Sequence, residues 1–267
     1  MRQRAREGGS PFRIAVQPRC LSGIFPADER ISARSTMTTL ATPVKDAVRA
    51  PGPRARVADR AWYAYAAKLL PAPREALGRW VDLGCGQGEF LELVLGFDTK
   101  GFGLDFSPHN AFAVAQDGRP AVIADLNRPL PFRDRSLDGA SLIEVIEHIV
   151  RAEDLLQELS RVIRRGGWLV LTTPNVAHLT YRWRALTGHP PKQEGYHYRF
   201  FTKQTLRRSV EEAGFRLIAR ASFGKQSLAT KLGRLAGRGR SYKFRYQVPA
   251  PMEGLLAQHF VWRLERT

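Results

Sequence analysis

The 267-residue chain is long enough for one α/β domain of roughly 150–200 residues with tails, and too short for two full domains. With 43% hydrophobic and 25% charged residues its composition is globular; no apolar run approaches the ~18–20 residues that cross a bilayer, and the N-terminus lacks the apolar core of a secretory signal. The net charge of +17 sits in the flanks: residues 1–79 hold 15 Lys and Arg against 6 Asp and Glu, residues 80–220 hold 18 against 17, and residues 221–267 hold 9 against 2. Basic flanks attract any polyanion, RNA or an anionic membrane surface, without specifying one. Cys20 and Cys85 are too few for a disulfide framework. The expected compartment is the reducing cytoplasm, with peripheral membrane contact left open.

Residues 1–50 are Arg-, Ser-, Pro- and Gly-rich without a sustained period, and are expected to be disordered. Their composition loosely imitates a transit peptide, and Met37 is an alternative first residue. An α/β core is expected over 59–223, and a basic segment ending in the last sheet strand over 224–267. Asp59 can cap a helix running to Pro71. "RWVDLG" reads as a strand, "GEFLELVL" as a helix stopped at Gly96, and "KGFGLD" as a strand ending at Asp105. "SPHNAFAVAQ" is a helix with Ser107 as cap and Pro108 at its first position. "AVIADL" and "LDGASLIE" are strands. "AEDLLQELSRVI" is a helix with Leu155, Leu156, Leu159, Val162 and Ile163 on one face, stopped at Gly166-Gly167. "WLVLTTP" is a strand, residues 202–213 a helix capped by Thr202 and ended by Gly214, and "FRLIARAS" and "HFVWRLER" the last strands. This alternation predicts a Rossmann-like three-layer α/β/α fold with a mostly parallel sheet and an antiparallel edge strand.

The strongest chemical signal is Val81-Asp82-Leu83-Gly84-Cys85-Gly86-Gln87-Gly88-Glu89, between a strand and a helix. Gly84, Gly86 and Gly88 allow a sharp turn with a ligand against the backbone. The spacing is G-x-G-x-G, and Asp82 puts a carboxylate where a pyrophosphate would be repelled and the ammonium of a methionine moiety attracted. That favours S-adenosyl-L-methionine over a dinucleotide. Asp105, at the next strand end, is placed to accept from ribose hydroxyls. Asp125, followed by Leu126 at the third, is placed to accept from an adenine amino group. Ligands of open α/β sheets sit beyond these carboxyl ends.

Together, "VDLGCGQGEFLELV", "GLDFS", "ADLNRPLPFRDRSLDGASLIEVIEHI", "RRGGWLVLTTPN" and "FTKQTLRRSVEEAGF" resemble successive motifs of class I methyltransferases over about residues 60–220. The resemblance implies a seven-stranded sheet, methyl transfer from a sulfonium, and Ile143 in the cofactor pocket. Cys85, Phe106 and Leu126, within the matching motifs, complete the expected cofactor set.

After the fourth strand, Glu144-Val145-Ile146-Glu147-His148 puts Glu144, Glu147 and His148 at i, i+3 and i+4, one face if the segment is helical. Two carboxylates and an imidazole, with His197 as a further ligand, suit Mg²⁺ or another divalent cation. Without metal, His148 suits a general base, with Glu147 beside it. This E-x-x-E-H arrangement resembles the ubiquinone-biosynthesis O-methyltransferases and the small-RNA 2′-O-methyltransferases, which implies ligand places for Glu144, Glu147, His148 and His197. The N-terminal region departs from the former group, and the reduced Tyr196-His197-Tyr198 stretch from the latter. Residues 176–198 read as a long lid-like loop bearing Tyr181, Trp183, Tyr196 and Tyr198 among basic residues. The basic run "KLGRLAGRGRSYKFRY" reads as an insertion before the last strand. The expected activity is O-methylation of a small hydroxylated acceptor, catechol-like, lipid-linked or glycan. An RNA 2′-hydroxyl, or cofactor binding without chemistry, are the alternatives.

Overall fold

The computed structural model of the chain describes residues 13–16, 23–25, 60–94, 100–190, 196–228 and 242–267. Strand β1 (Arg13–Val16) is followed by α1 (Ala61–Leu69), β2 (Trp80–Leu83), α2 (Glu89–Val94), β3 (Gly101–Asp105), α3 (Pro108–Gln116), β4 (Ala121–Ile123) and β5 (Leu137–Ile143). Then come α4 (Ala152–Val162), β6 (Ile163–Pro174), α5 (Leu179–Leu186), α6 (Lys203–Glu212), β7 (Phe215–Arg220), β8 (Phe223–Leu228), β9 (Tyr242–Gln247) and β10 (His259–Arg266). The local signals act as their chemistry requires. Ser107 Oγ accepts from the Asn110 N–H at the start of α3. Thr202 and Thr205 cap α6 reciprocally, and Gly214 ends it at φ +83°. The cap expected at Asp59 lies outside the described residues; α1 follows Arg60, whose side chain caps nothing.

One sheet runs in the order β1-β4-β3-β2-β5-β6-β10-β8-β9, with β7 also paired to β10. Strands β4, β3, β2, β5 and β6 are parallel. Helices cover both faces, as the Rossmann-like three-layer expectation requires. One detail of that expectation is corrected: the sheet has ten described strands rather than seven. Antiparallel strands β1 and β9 form its two ends, while the last strand, antiparallel β10, lies inside the sheet, between β6 on one side and β7 and β8 on the other. The reason is legible in β10 itself: Phe260, Trp262 and Leu264 on one face and Val261 on the other are all fully buried, so the strand is covered on both sides and takes an interior position.

Further corrections follow from pairing. Within the stretch expected to be disordered, Arg13–Val16 pairs antiparallel with β4, and Ile24 and Phe25 are buried, the latter against Phe132. The short strand β4 would otherwise be an open edge; the rest of residues 1–50 lies outside the described residues. Helix α4 ends at Val162, not at Gly166-Gly167, because Ile163 already pairs with Leu137. The long connection after β6 contains α5, and Tyr242–Gln247 pairs with Phe223–Leu228 as a ladder of the same sheet. Residues 229–241 and Gly96 lie outside the described residues.

The core divides by strand alternation. Val81, Leu83, Leu142, Leu169 and Leu171 face α4 and α6 through Leu155, Leu156, Leu159, Leu206 and Val210. Trp80, Ile143, Trp168 and Val170 face α1, α2 and α3 through Tyr63, Phe90, Leu91 and Val114. Burying each such aliphatic side chain contributes about 1.5–3 kcal/mol over leaving it in water. Every parallel strand therefore points its carboxyl end to one rim, and that rim carries the candidate site.

Candidate active site

The turn after β2 is a glycine turn by necessity. Gly84, Gly86 and Gly88 have φ of +66°, +56° and +89°, a region other residues enter only with strain. Two hydrogen bonds from the N–H groups of Gly84 and Cys85 to the Leu104 carbonyl pin the turn to β3. A Cβ on Gly84 would lie 2.6 Å from Val145 Cγ2. The turn therefore touches the segment after β5. The Cys85 thiol donates to the Gly86 carbonyl at 3.5 Å and is buried under Gly103, where a Cβ would meet Sγ at 2.7 Å; burial pushes its pKa well up.

Three carboxylates gather at this turn. Asp82 is buried and accepts from Ser141 Oγ at 2.5 Å. Asp105 accepts from the N–H of Gly86, the N–H of Ser107 and Asn110 Nδ2, while burial raises its pKa against those bonds. Glu89 is buried, and its Oε2 has no hydrogen-bond partner. A buried carboxylate oxygen left without a partner beside two more acids is costly, and a cationic ligand group would relieve it. The residues present thus fit an amino-acid ammonium and a sulfonium. Asp125 lies just past β4, its Oδ1 accepting from the N–H and Nδ2 of Asn127. Phe106 is exposed past β3, whereas Leu126 and Ile143 are buried. The expected cofactor residues therefore lie at the adjacent ends of β4, β3, β2 and β5.

Burial, and secondarily the charges of Asp105 and Glu89, push the Asp82 carboxyl up to about 7, with the Ser141 bond opposing. A carboxyl raised above its unfolded value binds a proton more readily in the fold. The ligand-free fold therefore loses stability as pH climbs from about 4 to about 7. An ammonium pairs with the ionised form, so ligand binding below about 7 must expel that proton. Calorimetry with S-adenosylhomocysteine is expected to show Kd rising by up to about tenfold per pH unit below 7, with proton release in buffers of different ionisation enthalpy. A pH-independent Kd would remove Asp82 from ligand contact.

Beyond Ile143 the backbone strains. Glu144 sits at φ +55°, which a non-glycine residue adopts only when its surroundings enforce it. Its N–H donates to the carbonyl and Oγ1 of Thr172, and its Oε1 accepts from the same hydroxyl at 2.6 Å. Val145 then packs on Gly84, and Ile146–His148 forms one 3₁₀ turn. The expected helical face is thereby broken. Glu147, His148 and His197 each offer a ligand atom within 4.8 Å of the others, and Glu144 is not among them. Its Oε2 lies instead 2.9 Å from His259 Nδ1, in ion-pair range but off the hydrogen-bond line.

Glu147 is buried and accepts from Thr173 Oγ1 at 3.1 Å; burial first, then the charge of Glu144, raises its carboxyl well above the usual range, against its hydrogen bonds to its own backbone and to Thr173. Its own carbonyl accepts from the N–H groups of Tyr198 and Arg199 and so carries the loop that holds His197. His148 is exposed, with Nδ1 2.9 Å from the Tyr196 carbonyl and its ring 4.7 Å from that of His197. With Nδ1–H given to the carbonyl, Nε2 keeps its lone pair for a ligand or a proton. Burial, then the nearby His148, lowers the His197 pKa.

His259 was missed by sequence reasoning. It stacks on Trp62 at 5.2 Å and on Phe223 at 5.3 Å, and lines an open cleft with Glu147, Tyr181, His197 and Phe200. The available signal was a polar residue opening an otherwise apolar antiparallel strand, which starts where its parallel neighbours end.

Comparison with known proteins agrees with this geometry. A family model described as a methyltransferase domain matches residues 55–220. A Mycolicibacterium smegmatis protein named as an S-adenosylmethionine-dependent methyltransferase is 29% identical over 140 residues, 51% of each chain. A Penicillium expansum O-methyltransferase is 30% identical over 123 residues, 43% of this chain and 44% of that one. The chain thus spans about half the length of these relatives. Among solved structures, a methyltransferase from Thermotoga maritima superposes with a TM-score of 0.51 at 23% identity, covering 77% of this chain and 89% of that one. One from Bacillus halodurans gives 0.54 at 16%, covering 76% and 97%. At these identities the structural likeness speaks for the fold.

Proposed function

Because the chain belongs to the methyltransferase-domain family of S-adenosylmethionine-dependent enzymes, we propose that it O-methylates a small hydroxylated acceptor held at the Glu147–His148–His197 cluster. The observation that carries this reading is the junction of the two sites: Val145 rests on Gly84, only two residues before Glu147. S-adenosylmethionine, when bound, supplies a methyl group already activated by sulfonium charge. Asp82 and Glu89 would pair with its ammonium end, Asp105 would accept from the ribose and Asp125 from the adenine. Phe106, Leu126 and Ile143 would line the pocket, and Cys85 would add backbone to the turn.

The cluster also fits a divalent cation such as Mg²⁺. Its buried Glu147 carboxylate has one hydroxyl partner and two imidazoles close by, and an uncompensated buried charge is costly. A cation there would supply Lewis acidity at the acceptor oxygen. Glu147, His148 and His197 would hold it; Glu144, the fourth ligand place that the resemblance implies, lies instead beside His259. The Nδ1 atom of His259 is buried toward Glu144 while the residue lines the cleft. Its Nε2 edge is therefore the one open to an acceptor, and takes the hydroxyl proton as the methyl group transfers.

The test uses labelled S-adenosylmethionine and a catechol panel. Transfer is expected to stop in chelator and to return with Mg²⁺ or Mn²⁺. Full activity in chelator would remove the cation. No transfer to catechols, together with RNA binding that weakens steeply with salt, would move the acceptor to a ribose hydroxyl.

A further inference from the structure

Helix α5 buries none of its side chains. Eight residues are too few to be stable in water by helix propensity, and only Tyr181 and Arg184 of α5 are half-buried, so its exposed face calls for a surface to cover it. Its sequence LTYRWRAL puts Leu179, Trp183 and Leu186 at i, i+4 and i+7, within one narrow stripe. All three are exposed, Trp183 at 67% and Leu186 at 81%. Tyr196 and Tyr198, also exposed, flank His197 on the neighbouring loop. Arg182 and Arg184 border the stripe, and no Asp or Glu occurs between Glu158 and Glu194.

We propose that this face of α5 seats the protein on an anionic lipid bilayer. Cationic residues with aromatic and aliphatic side chains on one short helix match the layering of such a surface: phosphate-bearing headgroups outside, an interface favoured by Trp and Tyr, and acyl carbon beneath. RNA would use the arginines and Trp183 but gain nothing from Leu179 or Leu186. Among the described residues no helix is long and apolar enough to cross a membrane, so the contact is lateral and reversible. The stripe adjoins the cleft, since Tyr181 of α5 lines it with Glu147 and His197. On the O-methylation reading, the acceptor is then an amphipathic molecule delivered from the bilayer with its hydroxyl toward the cluster.

The full chain would be floated with phosphatidylcholine vesicles and with vesicles containing a quarter phosphatidylglycerol. Binding to the anionic vesicles is expected, weakened at least tenfold by the double substitution Trp183→Ser, Leu186→Ser, and weakened by Arg182→Gln, Arg184→Gln on those vesicles alone. Each variant should keep wild-type affinity for S-adenosylhomocysteine, which separates loss of the surface from loss of the fold. No methyl transfer is needed, so failure of the acceptor assignment leaves this result standing. Vesicle binding unchanged by the Trp183 and Leu186 substitutions would overturn the proposal by assigning the contact to the basic flanks. Absence of binding, or single-stranded RNA binding that depends on the same two residues, would overturn it equally.

Discussion

Gly84→Val is expected to abolish binding of S-adenosylmethionine, with no heat in calorimetry at ligand concentrations a hundredfold above the wild-type Kd. Two costs combine. The backbone at φ +66° is disfavoured for L-residues by about 1–2 kcal/mol, and more for a β-branched one. The new Cβ would also meet Val145 Cγ2 at 2.6 Å and Cγ1 at 3.1 Å. Relief requires the turn to lift from β3 or the segment after β5 to retreat, and either move opens the junction of the two sites. Gly118→Val is the control, since Gly118 has φ +77° but nothing within 4 Å of a Cβ. It carries comparable backbone strain with no neighbour to displace, and should bind the cofactor as wild type does. A Gly84→Val protein that binds within threefold of wild type would separate the glycine turn from cofactor recognition.

The second large effect is expected from Glu147→Gln. The amide keeps the size and the Thr173 bond but removes the charge. Turnover should fall by about 100-fold or more, the scale of a lost acid–base or metal contribution, while cofactor affinity stays within threefold. Thermal stability should move the other way. Burial and the neighbouring Glu144 disfavour the ionised carboxyl, so a neutral isostere is expected to raise Tm above pH 7. Loss of activity with gain of stability marks a functional charge. Unchanged turnover, or a lowered Tm, would make Glu147 a structural residue.

Much of the cofactor side was legible because its signals are local. A glycine turn, a cap such as Ser107 and an acid at a strand end each follow from a few neighbouring residues. The acceptor side depends on long-range pairing. Glu144, Glu147 and His148 share a face in a helix, but the sheet ends at Ile143 and Thr172 captures Glu144, so only part of the set converges. His259 lies 115 positions from Glu144 and meets it because β10 enters between β6 and β8. The sequence marked HFVWRLER as a strand but read the C-terminal strands as supplying an antiparallel edge; the interior place of β10 and its partners followed only from the whole sheet.

In the alignment of β10 on β6, His259 faces Pro174 and Phe260 faces Thr173. Consecutive side chains of a strand leave on opposite sides, so a slide by one position would trade His259 for Phe260 or Gln258 and turn Trp262 into the wrong layer. A molecule trapped that way would keep its glycine turn and still take up the cofactor, yet turn nothing over. After refolding, the fraction of molecules that bind ligand would then exceed the fraction that work, and the gap would count the misaligned copies.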